Sequence, residues 1–116
     1  MRLMIEVSVA DFIDRLSILE IKQSYGLDVK EELSKYAESI VLLDKMGFDH
    51  YKSLFLEINS RLWILEDQKR KFNERNSEQY ANVSELITQL NDLRYATKKK
   101  ADAYFRSSFS EKKSHS

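Results

Sequence analysis

The chain has 116 residues, 42% of them hydrophobic and 33% charged, with no proline, no cysteine and two glycines. That length builds a single domain around one modest core, and so little turn punctuation favours a few long helices over a sheet. Without cysteine there is no disulfide framework and no thiolate metal site, which fits the cytoplasm, while a net charge of zero conceals a split: seven Lys or Arg against two acids from Arg94 onward, hence +5 there and −5 before it.

Residues 3–7 read as a short extended arm. The opening Met-Arg-Leu-Met-Ile-Glu-Val is too short and too charged for a signal peptide, and no apolar run approaches the ~18 residues of a membrane span. Ser8 is a natural N-cap with Asp11 three residues on, and Gly26 is a natural stop, so residues 9–25 form the first helix. At about 100° per residue Val9, Phe12, Ile13, Leu16 and Leu19 share one face, while Ile18, Ile21 and Tyr25 make a second apolar strip. A helix apolar on two sides is sandwiched between neighbours. Arg15, Lys22 and Asp11 take the wet edge, but Glu20 falls inside the first apolar face and Asp14 beside the second. A buried carboxylate costs several kcal/mol unless it is paired, so Glu20 demands a partner.

Asp28 with Glu31 caps a second helix that ends at Gly47, its single stripe made of Val29, Leu33, Tyr36, Ile40 and Leu43. Asp49 caps a third helix running to about Asn76. Along it Tyr51, Phe55, Ile58, Leu62, Leu65 and Phe72 recur in alternating steps of four and three, with Lys69 as the one polar interruption, the spacing of a coiled-coil seam. Arg75-Asn76-Ser77-Glu78 is the turn, Ser77 the next cap, and the fourth helix passes Tyr104 with Tyr80, Val83, Ile87, Leu90, Thr97, Ala101 and Tyr104 as its seam. The expected fold is all-α: an antiparallel four-helix arrangement in which two shorter helices pack on a long coiled-coil-like hairpin, with residues 1–110 as one domain and 111–116 as a frayed polar tail.

Counting levels along that topology brings Glu20 opposite Trp63 and Glu66, then opposite Asn91 and Arg94. Asp14, Glu20, Trp63, Glu66, Asp67, Asn91, Arg94 and Lys98 thus form the candidate ligand-binding cluster, with Arg94 offering its fork to a carboxylate or phosphate, Lys98 adding charge and Glu20 orienting Arg94. The competing reading makes the same residues an ion-pair network that fixes helix register. Trp63 is a core residue whose N–H seeks Asp67 as acceptor. By the same count the hairpin tip overhangs the short helices and leaves Phe72, Tyr80 and Val83 uncovered, candidates for a homodimer contact.

Other chemistries lack their residues. Glu66 and Asp67 are adjacent and point about 100° apart, a poor acid/base pair. His50 and His115 share no ligand spacing, so no metal site is expected. No glycine-rich phosphate loop exists, and no cofactor is implied. Lys98, Lys99 and Lys100 spread round the helix and make no stripe for nucleic acid.

The run from Val7 to Lys22, the Leu62-Trp63-x-Leu65-Glu66-Asp67 block, the Leu90-Asn91-Asp92-x-Arg94-x-x-x-Lys98 block and the closing Glu111-Lys112-Lys113-Ser114 resemble a family of small helical bacterial proteins without an assigned activity, encoded near glycosyltransferase and polysaccharide genes. The likeness spans nearly the full chain. It implies a setting linked to polysaccharide synthesis and no mechanism. Two functions follow as expectations: a non-enzymatic helical interaction or scaffold module, self-associating as a homodimer, or a small cofactor-free enzyme or binding protein with an ionic pocket for an anionic metabolite. The Ile13-Asp14-Arg15-Leu16 run is similar to the first helix of chorismate mutases, whose further arginines and lysine are not evident here.

Overall fold

The computed structural model describes residues 7–73 and 77–114. The arm expected over residues 3–7 lies outside them apart from Val7, as do Arg75, Asn76 and His115. Four helices follow in order, α1 (Val9–Ser24), α2 (Lys30–Ile40), α3 (Lys45–Lys71) and α4 (Glu78–Ser114), and no strand occurs among the described residues. The fold is all-α.

Helix α1 begins as its sequence dictates. Ser8 Oγ accepts from the Asp11 amide at 3.1 Å, and the Asp102 carboxylate of α4 accepts from the Ala10 amide at 3.0 Å. Two of the N–H groups that a helix start leaves open are thereby satisfied, one of them by another helix. At the other end Gly26 adopts a φ of 85°, Leu27 donates to the Lys22 carbonyl and Gly26 to that of Gln23, the paired bonds of a Schellman stop.

The second helix is shorter than expected, and the reason is a cap. Leu42 and Leu43 bond back to Ser39 and Ile40, ending α2, and Asp44, not Asp49, opens α3 by accepting from the Gly47 amide at 2.9 Å. Gly47, expected as a stop, stands in the first turn of α3 because the Tyr104 ring lies against it: a Cβ there would collide with that ring. Asp28 stands one residue before the cap position of α2, and its carboxylate accepts from the Lys30 amide at 3.4 Å. Val29 holds that position without a side-chain bond. Helix α4 runs to Ser114, into the segment expected to fray.

Helix α1 packs against all three others, whereas α2 rests mainly on α1, with Phe12 against Tyr36 at 4.8 Å between ring centroids. The main core joins Ala10, Ile13 and Leu16 of α1 to Phe48 and Phe55 of α3 and to Ala101 and Phe105 of α4. Phe105 takes the inward place expected of Tyr104, which stays 39% exposed. A second cluster, Ile58, Leu62 and Ile87 with Leu65, Val83 and Leu90 around them, closes α3 on α4. Thirty-seven residues of α4 span about 55 Å at about 1.5 Å each, which sets the molecule's 59 Å length. Sixteen residues of α1 cover less than half of that. No helix among the described residues is long and apolar enough to cross a membrane.

Candidate functional site

Between the two apolar clusters lies a polar layer, and its centre is Asp14, 1% exposed. Arg94 grips this carboxylate side-on: Nε donates to Oδ1 at 3.0 Å and to Oδ2 at 3.2 Å, and Nη2 donates to Oδ2 at 2.5 Å. From α3 the Asn59 amide donates to Oδ1 at 2.8 Å and, with its second N–H, to Ser17 Oγ at 2.8 Å. Ser17 in turn donates to the Asp14 carbonyl at 2.6 Å. Lys98 lies one helical turn after Arg94 and bridges Asp14 Oδ2 at 3.2 Å and Asp11 Oδ1 at 3.1 Å. Three helices thus meet on one carboxylate.

Burial raises the proton affinity of Asp14, but hydrogen bonds from Arg94 and Asn59 and the positive charges of Arg94 and Lys98 more than reverse it, holding the group below the ordinary carboxylate range. It is an anion held by its donors. Such a centre binds helices in one register, since sliding α1 by a turn against α3 or α4 would strand a buried charge.

The predicted cluster assembles only in part. Asp14, Arg94 and Lys98 meet as described, but Glu20 does not reach Arg94. It pairs instead with Lys52 at 2.8 Å, both side chains 29% exposed. The difference is one of facing, not of level: Ile18 and Ile21, on either side of Glu20 in the chain, line the same cleft as Arg94, whereas Glu20 leaves α1 on another side, beside Ser24, Leu56 and Glu57. Asp67 also stands apart. It accepts from Lys71 at 2.9 Å and lies 3.8 Å from Arg70 on the outer surface of α3, where the hydrogen bond and charge of Lys71 lower its pKa. It is no acceptor for Trp63, and Trp63 is not core but half-buried, stacked on Tyr25 at 5.2 Å and 25°.

Trp63, Glu66, Asn91 and Arg94 do come together, around a half-open cleft of about 300 Å³ between α1, α3 and α4. Ile18, Ile21 and Leu62 supply its apolar lining, and Arg70 joins the rim. Reasoning from sequence missed Asn59, Ser17, Asp11 and Arg70. Asn59 was within reach of it, being four residues after Phe55 and three before Leu62, a polar residue on the buried face; Ser17 stands likewise four residues from both Ile13 and Ile21. Among the described residues no group of three or more His, Asp or Glu side chains is placed to hold a metal ion.

At the hairpin tip the expected contact residues are all half-buried. Phe72 meets Tyr80 edge-on at 6.2 Å, the Lys69 ammonium sits 5.4 Å over the Tyr80 ring, and Val83 packs on the second cluster. They cover one another, not wholly. Phe72 and Val83 still line a shallow groove with Gln68 and Asn82.

What fold and site together define is an all-α bundle whose first helix is held to the third and fourth through a buried, ionised carboxylate. None of the family models, curated proteins or solved structures compared with the chain matches it.

Proposed function

We propose that this protein is a non-enzymatic helical interaction module that self-associates through the side of the α3–α4 hairpin turned away from α1. The observation that carries the reading is a pair of leucines on α4: Leu86 and Leu93, seven residues apart, are 47% and 51% exposed. Lys98, which faces α1, lies about 120° and 140° round the helix from them. Seven-residue spacing of exposed leucines is the pattern of a coiled-coil seam still lacking its partner helix. The groove bearing Phe72 and Val83 continues the same strip toward the tip.

Size supports the reading. Helix α3, with 27 residues, is about 40 Å long, and two adjacent helices about 20 Å wide offer roughly 800 Å² per copy, the scale of a specific interface. The polar layer supports it too, because Asp14 is held by donors from α3 and α4, which leaves that acid with a structural task. The reading places the module in the cytoplasm and, on the resemblance noted above, beside a protein partner connected with polysaccharide synthesis.

Light scattering with size-exclusion chromatography tests it. The 13.7 kDa chain should run at twice its mass, and a Leu86→Lys, Leu93→Lys variant should run at once its mass with unchanged helicity. A wild-type monomer at working concentration, or a variant that stays dimeric, overturns the proposal.

A further inference from the structure

The cleft between α1, α3 and α4 has the make-up of a small-ligand site. Its volume of about 300 Å³ is at the lower end of those that hold small organic molecules, and it pairs a mostly apolar lining with a few convergent polar groups, the usual division between affinity and orientation. Ile18 and Ile21 of α1 and Leu62 of α3 supply the apolar surface. Trp63 forms a wall and is held in place by the Tyr25 ring stacked on it.

The polar rim is ordered in advance. Arg94 uses Nε and Nη2 on Asp14, so the edge of the guanidinium bearing Nη1 points away from that carboxylate while the side chain lines the cleft. A guanidinium already pinned loses little freedom when it binds an anion, and that saving appears as affinity. Arg70 reaches the same rim; its contact with Asp67, at 3.8 Å, is longer than a hydrogen bond. Asn91 adds an amide. Glu66, also on the rim, carries negative charge that weighs against a dianion.

We propose that this cleft binds a small monocarboxylic acid with a flat apolar body, its carboxylate received by Arg94 and Arg70 and its ring packed against Trp63 among the isoleucines. The site lies on the α1 side of the hairpin, and the self-association face lies on the other. The two proposals therefore stand or fall separately.

Trp63 is the one tryptophan in the chain, so its fluorescence reports the cleft without a label. Phenylacetate titrated into the full-length protein should change that fluorescence saturably. Uncharged phenylacetamide should need at least tenfold higher concentration, and so should phenylacetate with the Arg70→Ala variant. Arg70 is exposed, so that variant keeps its fold, which its thermal melt verifies. An Arg61→Ala variant, altered outside the cleft, should bind as the wild type does. No saturable change with phenylacetate, equal binding of the amide, or an unaffected Arg70→Ala protein would each overturn the assignment.

Discussion

Replacing Asp14 by alanine probes the polar layer at its centre. The substitution strands the two Arg94 nitrogens that now bond the carboxylate and one N–H of Asn59, whereas Lys98 retains Asp11 and Asn59 keeps its bond to Ser17. Removing one partner of a buried pair costs about 3–5 kcal/mol, most of it from the uncompensated charge left behind. Arg94 is 27% exposed along its side chain and can turn part of its guanidinium to water, so the lower end applies, about 3 kcal/mol. Set against a total stability of about 5–15 kcal/mol for a domain, that is a large fraction. At roughly 3–6 °C per kcal/mol for a chain of this size, the melting midpoint should fall by about 9–18 °C. Urea unfolding followed by circular dichroism gives the free energy and a thermal scan the midpoint. A loss below about 1 kcal/mol would refute the reasoning, since a carboxylate so placed could not be carrying the charge of Arg94.

Two further substitutions separate the layer from its surroundings. Glu20→Ala removes a half-exposed pair with Lys52 and should cost less than about 1 kcal/mol; a loss above about 2 kcal/mol in the same urea assay would show Glu20 to be coupled to the layer after all. Gly47→Ala forces its new methyl into the Tyr104 ring, which must swing aside and release its hydrogen bond to Asp44, a cost of about 1–3 kcal/mol from overpacking. In a Tyr104→Ala background the obstacle is gone, and the same change should become neutral or stabilise by up to about 1 kcal/mol, the helix preference of alanine over glycine. Destabilisation of similar size in both backgrounds, read by thermal melts, would contradict that account.

Most of the architecture was legible because caps and seams are local. Ser8, Gly26 and Ser77 act where their chemistry places them, and the spacing of Phe55, Ile58 and Leu62 on α3 and of Ile87, Thr97 and Ala101 on α4 marks the buried faces. The α2–α3 junction was not legible, because Asp44 and Asp49 are both credible caps and Gly47 looks like a stop. Only the distant Tyr104 ring explains why glycine stands inside α3. Level was not what kept Glu20 from Arg94, since Ile18 and Ile21 flank Glu20 and share the cleft with Arg94; Glu20 leaves α1 about 160° round the helix from Ile18 and about 100° from Ile21. The composition of the layer was more visible than its pairing: Asn59 and Ser17 are polar residues at core spacing, yet which acid they serve depends on how three helices align. Trp63, Glu66, Asn91 and Arg94 were legible as one group because they belong to the α3–α4 hairpin, whose register is set by its own turn.

The protonation of Asp14 in the intact protein tests the central claim most directly. Its folded-state pKa is lowered, so its contribution to stability is present above the unfolded value of about 3.9 and is lost as pH falls from there through the folded value. Titration of the Asp14 side-chain carbon by NMR should therefore show this buried carboxyl still ionised at about pH 4, protonating only below the range of an ordinary aspartate. A midpoint at or above about 4 would mean that desolvation prevails over Arg94, Lys98 and Asn59, and the ionised clasp joining α1 to α3 and α4 would be contradicted.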